Sequence, residues 1–153
     1  MARTRKVSVG DVVRIVLDDG RSAYGHVLVE PLIAFKSYQD SGEDPDIPEI
    51  LRSPDAFRIW VSRRPLTDGR WPVVGHAEPD PAALRAPPFF RQDPLTQKLS
   101  ITYDGGHFVP ATEVECQGLE RAAVWAAEHV TERLLDYFEN RPNRWVESLR
   151  VKV

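Results

Sequence analysis

The sequence predicts an α+β fold: a strongly bent antiparallel sheet or a small SH3-like barrel, a Pro-rich ordered coil, and one C-terminal amphipathic helix. Three observations carry this. Short alternating apolar runs bounded by turn residues fill the first half of the chain. Eleven of the thirteen prolines fall between residues 45 and 110, where they keep elements short. The longest helical periodicity comes only after residue 124.

Taken in order, residues 12–17 set Val13, Ile15 and Leu17 alternately against Arg14 and predict the first strand. Asp19-Gly20 supplies a turn able to hold positive φ, and residues 22–29 return as the second strand of a hairpin. Gly25 inside that strand marks a bulge or a close backbone crossing. Residues 32–38, entered through Pro31, are a third strand. Pro48 opens a helical turn through Leu51 that Ser53-Pro54 stops. Residues 57–61 and 71–76 are the fourth and fifth strands, separated by a polar loop of Arg63-Arg64-Pro65 and Asp68-Gly69-Arg70.

Pro79, Pro81, Pro87, Pro88 and Pro94 forbid long regular elements from 78 to 96. Leu84, Phe89 and Phe90 are nevertheless too apolar for a disordered linker, so this segment packs as ordered coil. Residues 99–103 and 107–109 flank Asp104-Gly105-Gly106 as a second hairpin. Thr112 and Glu115 have the spacing of a capping box for a short helical turn. Residues 125–139 carry Ala127, Val130, Leu134, Tyr137 and Phe138 on one helical face, and Asn140 with Pro142 ends the helix. Trp145, Val146 and Leu149 read as a closing strand.

At 153 residues, with 42% hydrophobic and 28% charged, the chain suits one domain over 1–153, its first six residues a frayed basic tip. Twenty Lys and Arg against 23 Asp and Glu give a net charge of −3, which argues against a surface built throughout to coat nucleic acid or an anionic membrane. Cys116 is the only cysteine, so an intramolecular disulfide and multi-cysteine metal sites are excluded and a reducing compartment is expected. No apolar stretch suits a signal peptide or a membrane span, so the expected location is cytoplasmic, with no membrane partner.

No pattern of residues points to catalysis. His26, His76, His107 and His129 stand alone, without a second ligand at helical spacing, so no metal or other cofactor is expected. Cys116 lies beside Glu113 and Glu115, which raise a thiol pKa and make an inert, partly buried cysteine the better reading. Trp60, Trp71, Trp125 and Trp145 read as core residues rather than stacking platforms, although Arg70-Trp71 and Arg144-Trp145 resemble nucleotide-binding pairs. Two acidic groups resist a bland reading. Asp40, Glu43, Asp44, Asp46 and Glu49 crowd a stretch with no base, and Glu128, Glu132, Asp136 and Glu139 form one row opposite the apolar stripe of the helix. Like charges four residues apart repel, and Asp136 and Glu139 sit at the wrong end of the helix dipole unless Arg141 or Arg144 reaches back. A solvated face explains the row; docking of a basic partner, jointly with the 40–49 stretch, gives it a use.

The ordered set of motifs is more specific than any one. Val9-Gly10-Asp11-Val12-Val13-Arg14-Ile15 and Tyr24-Gly25-His26-Val27-Leu28 are followed by Phe57-Arg58-Ile59 and Gly69-Arg70-Trp71-Pro72-Val73-Val74-Gly75. Pro87-Pro88-Phe89-Phe90-Arg91-Gln92-Asp93-Pro94, Glu115-Cys116-Gln117-Gly118-Leu119-Glu120, Glu128-His129-Val130-Thr131-Glu132-Arg133-Leu134 and Pro142-Asn143-Arg144-Trp145 complete the series. In this order and spacing, from about Val7 to Leu149, the chain resembles the immunity protein 26 family of bacterial polymorphic toxin systems. The resemblance implies a non-enzymatic protein that binds a cognate toxin domain and blocks self-intoxication. It supplies no catalytic set. A basic nuclease would suit the acidic clusters as target. A small barrel-like nucleic-acid-binding module, suggested by the opening hairpin, the basic tip and Arg63-Arg64, is the alternative that the net acidity disfavours.

Overall fold

The structure, a computed structural model, describes residues 6–152, so the expected basic tip lies outside the described residues apart from Lys6. Strands β1 (Asp11–Val16) and β2 (Ser22–Val27) form the first hairpin, with Gly20 at φ +91° in its turn. They are followed by β3 (Leu32–Asp40), helix α1 (Ile47–Arg52), β4 (Asp55–Val61), a helical turn α2 (Arg64–Thr67) and β5 (Val73–His76). Next come β6 (Phe89–Gln92), β7 (Leu99–Thr102), β8 (Phe108–Ala111), the helical turn α3 (Glu113–Cys116), and two-residue strands β9 (Glu120–Arg121) and β10 (Val124–Trp125). Helices α4 (Ala127–Phe138) and α5 (Arg144–Ser148) close the chain.

The strands make two sheets, one in the order β10-β4-β3-β2-β1-β5 and one in the order β8-β7-β6-β9. The fold is α+β, as expected, but no closed barrel forms among the described residues: β10 and β5 end the larger sheet without meeting, and α4 covers the face that a barrel would turn inward. Neither sheet is purely antiparallel, since β10 runs parallel to β4 and β9 parallel to β6. Register shifts at Val12/Val13, Ala23/Gly25 and Phe35/Lys36 add local twist to the larger sheet. Gly25 sits at one of them, and a Cβ there would lie 2.8 Å from the Ile33 side chain, so both the bulge and the close approach are present.

Alternation along each strand gives the larger sheet two different faces. Val13, Ile15, Ala23, Val27, Ile33, Phe35, Ile59 and Val61 face α4 and pack with Val130 and Leu134 in the main core. The residues between them face the other way. At one end, Val12 and Tyr24 pack with Ile50 of α1. At the other, Leu28, Leu32 and Ala34 pack with Phe89 of the smaller sheet, whose ring lies 4.5 Å from that of Trp60. The Pro-rich stretch is ordered as expected. Leu84 and Ala86 pack beside Phe89, Pro81–Leu84 forms a 3₁₀ turn, and Arg58 donates to the carbonyl oxygens of Ala83 and Arg85.

Two expectations need correction. Residues 63–70 hold the helical turn α2, opened by Pro65 within its first turn. The C-terminal segment is not a closing strand but helix α5, because Asn143 Oδ1 accepts from the backbone N–H groups of Trp145 and Val146 and caps it. Trp145, Val146 and Leu149 then fall on one helical face against the main core.

Candidate functional site

Three acids of α4 and Glu139 at its C-cap are each met by an arginine from elsewhere in the chain. Arg70, in the loop before β5, reaches Glu128 at 2.8 Å. Arg144 grips Glu132 through two N–H bonds of 2.9 and 3.0 Å. Arg141 lies 3.1 Å from Asp136, which also accepts from Asn143 Nδ2 at 2.9 Å. Arg21, beside the first hairpin turn, binds Glu139 at 2.5 Å while also holding Asp19 and Gln39. The arginines cancel the row's charge. The Arg144 hydrogen bonds hold Glu132 below the usual carboxylate range. Glu128 is lowered by the first-turn N–H of α4 and then by Arg70. Asp136 is also largely covered, with 15% of its side chain exposed.

The acids of residues 40–49 are arranged differently. Asp40 Oδ1 accepts from the Tyr24 hydroxyl at 2.7 Å and from the Gly42 N–H at 2.8 Å, which fixes the start of the loop. Asp46 caps α1 by accepting from the Glu49 N–H at 3.1 Å. Glu43, Asp44 and Glu49 are exposed, and no side chain among the described residues pairs with their carboxylates. The loop does not float. Ile50 is fully buried beneath it, and Ile47 and Leu51 pack beside Val12 and Tyr24. The concentrated negative charge registers on its neighbours. Burial first, and then Asp40, Glu49 and Asp46, raise the Tyr38 phenol. Tyr24 is pushed up to about 12 by burial and its bond to Asp40.

The structure does not bring the two acidic groups together. Helix α4 packs on one face of the larger sheet and α1 on the other, with the sheet between them. Only the end of the row comes near the loop, where Arg21 bonds both Gln39, next to Asp40, and Glu139.

The remaining candidates are placed as follows. Cys116 is fully buried at the end of α3, where burial and then Glu115 raise its thiol. The capping box above it is complete, with Thr112 and Glu115 exchanging hydrogen bonds. Trp71 and Trp125 are core residues, exposed by 2% and 4%. Trp60 is half-buried against Phe89, and Trp145 stacks on His129 at 3.8 Å. Neither Arg-Trp pair offers a free aromatic face of the kind a nucleotide needs, because Trp71 is buried and Trp145 is covered by His129 and Arg144. Arg63 pairs with Glu30 at 2.6 Å. No group of three or more His, Cys, Asp or Glu among the described residues is arranged to hold a metal ion. No helix among them is long and apolar enough to cross a membrane.

Two polar networks were not legible in the sequence. Asp11, fully buried on β1, accepts from the Ser8 N–H and bonds His76 Nδ1 at 2.8 Å, while His76 Nε2 meets Glu78 at 2.9 Å. The two carboxylates, Asp11 first, hold the His76 imidazole above its ordinary pKa. Arg133, on the buried side of α4, donates to both oxygens of Glu120 and lies 3.9 Å over the Phe57 ring. The strand pairing Asp11↔His76 joins positions 65 residues apart, and Arg133 meets Glu120, 13 residues before it, only in the completed fold, so no local spacing signals either pair.

Neither a curated protein nor a solved structure matches the chain. The sequence profile of immunity protein 26 does, over residues 8–100, a span that runs from β1 into β7 and includes the acidic loop. That match covers more than half of the chain and takes in the motifs at residues 9–94, so the protein belongs to the immunity protein 26 family.

Proposed function

We propose that the protein is a cytoplasmic immunity protein that binds the toxin domain of a cognate polymorphic toxin and neutralises it by occlusion, without chemistry of its own. Membership of the immunity protein 26 family carries this reading. The surface we assign to the partner is the acidic loop with α1, where Glu43, Asp44 and Glu49 are free and Asp40 and Asp46 hold the backbone in place. Unpaired carboxylates on a packed loop suit a basic toxin such as a nuclease. They speed encounter by electrostatic steering and occupy phosphate-binding positions with little ordering entropy lost on docking. Glu128, Glu132, Asp136 and Glu139 serve only if basic groups of the partner displace their arginines, and exposed pairs of this kind contribute little to stability.

The test is co-expression with a toxin domain encoded by a neighbouring gene. Cells survive when both proteins are made, and the two co-purify as a complex. The association rate falls as salt is raised from 50 to 300 mM, about the range over which the screening length shrinks below 10 Å. Toxicity unaffected by the protein refutes the immunity role. Tight binding with a salt-independent association rate refutes the acidic docking surface.

A further inference from the structure

A cavity of about 250 Å³ opens on the same sheet face as the acidic loop, between the C-terminal end of α1 and the 77–83 segment. Its volume falls below the roughly 300–1,000 Å³ of small-molecule sites and suits one long side chain better than a substrate. Leu28, Ala34, Leu51 and Ala83 supply apolar wall. The polar lining is Lys36 and His26 with Asp55, Glu78 and Asp80. Lys36 is 8% exposed and bound to Asp55 at 2.7 Å, so its charge is neutralised within the wall. Glu78 and Asp80 leave the cavity negative. The Asp80 carboxylate has no partner among the described residues, although the residue stands just before the 3₁₀ turn where a capping bond would be expected.

His26 supplies an independent pointer. It is 9% exposed, and its Nε2 lies 2.8 Å from the Ala77 carbonyl oxygen. A carbonyl only accepts, so Nε2 carries the proton and Nδ1 of the neutral ring is left as an acceptor. No donor among the described residues meets that nitrogen, and the ring forms part of the cavity wall. That nitrogen is open to the solvent in the cavity, and a cationic donor entering there could bond it.

We propose that this cavity is a socket for an arginine side chain of the toxin. The proposal rests on the immunity reading and names the partner's anchor. The aliphatic stem lies along Leu51 and Ala83, and the guanidinium donates to Asp80, Glu78 and His26 Nδ1. Arginine fits better than lysine because its planar group presents five donors in fixed directions to acceptors placed at separate points of the wall. The free carboxylates of the loop guide the basic surface, and the socket fixes its register.

The probe is acetyl-Gly-Arg-Gly-amide, titrated into the ¹⁵N-labelled full chain and followed by NMR, with the citrulline peptide as an uncharged isostere. Saturable shifts of the His26 ring and of the amides of residues 77–83 support the socket when citrulline produces none. Asp80→Asn weakens the arginine peptide about threefold to tenfold, as loss of one partly exposed charge partner should. Ala83→Met fills the cavity and abolishes the shifts, and a melting curve checks that it folds. Shifts confined to residues 43–49, equal binding of the citrulline peptide, or no saturation overturn the proposal. Neutralisation of the toxin separates the two readings. If Ala83→Met and Asp80→Asn both protect cells as well as the parent, the socket is refuted and the immunity role stands. If the parent itself does not protect, the immunity role falls whatever the peptide does.

Discussion

Replacing Arg133 by methionine tests how the two sheets and α4 are joined. The guanidinium donates to Glu120 of the smaller sheet at 2.9 and 2.8 Å and lies over rings of Phe57 and Trp125, both of the larger sheet, at 3.9 and 4.9 Å. Methionine keeps an unbranched stem for those rings and removes the charge. Breaking a buried pair on one side costs about 3–5 kcal/mol, because the other charge is stranded. Glu120 retains 31% side-chain exposure, so water reaches it, and about 2–3 kcal/mol is the expected loss once the two weakened ring contacts are included. For a chain of this length that lowers Tm by roughly 5–10 °C, read by calorimetry and by urea unfolding. Arg133→Met combined with Glu120→Leu removes the stranded carboxylate and recovers about 1 kcal/mol or more relative to the single variant. A single variant within about 0.5 kcal/mol of the parent, or a double variant no better than the single one, refutes the claim that this pair bridges the sheets.

Three further outcomes follow from the charges and the burial. Glu43→Gln, Asp44→Asn and Glu49→Gln together slow association with the toxin domain about tenfold at low salt and leave dissociation within about twofold, read by surface plasmon resonance. Glu132→Gln, whose charge Arg144 already cancels, leaves the association rate unchanged, and the reverse ranking would move the interface to α4. His76 is held above its ordinary value of 6.5 by Asp11 and Glu78, so folding favours the protonated ring. Its stabilisation is complete below that ordinary value and is lost as pH rises through the folded one. Urea midpoints should therefore decline from about pH 6 to pH 8, and His76→Gln should flatten the decline; a parent midpoint that rises across this window contradicts the geometry. Cys116, buried and with its thiol raised, should not react with Ellman's reagent in the native protein and should react once urea unfolds it. Rapid labelling of the folded chain would show that α3 opens.

Local chemistry made much of the fold readable. Asp19-Gly20 could hold only a tight turn, the alternation at 13, 15 and 17 could bury only one face, and Thr112 with Glu115 could close a capping box. The failures come from signals that are short or distant. Strands β9 and β10 have two residues each, too few for any alternation to show. Trp145, Val146 and Leu149 suggested a strand because charged residues interrupt them, yet their spacing of one and three is helical, and Asn143 stands where a cap belongs. The three acids of α4 and Glu139 at its C-cap looked unopposed because two of their arginines, Arg21 and Arg70, come from positions that only the completed fold brings near, Arg21 lying 118 residues from Glu139. Arg141 and Arg144 were within sight of the helix end, but Arg144 binds Glu132 rather than the terminal acids.

This difference in pairing gives the near-neutral chain a direction. Negative charge on α4 is cancelled within hydrogen-bond distance, so little field leaves that face. Of the acids of 40–49, Asp40 shares the Tyr24 hydroxyl with Arg14, whereas Glu43, Asp44 and Glu49 have no basic partner among the described residues. Lys36 and Arg58, on the same sheet face, both turn to Asp55, at 2.7 and 3.7 Å. A basic partner approaching from solution therefore meets attraction mainly on the α1 side of the sheet. Uncompensated like charges on a packed loop oppose folding slightly, and a binding role gives that opposition a reason that a merely solvated loop would not. If the surface were only solvated, neutralising Glu43, Asp44 and Glu49 would raise stability and leave toxin binding intact. If it is the docking face, the same substitutions raise stability while slowing association, and the two measurements on one variant decide between them.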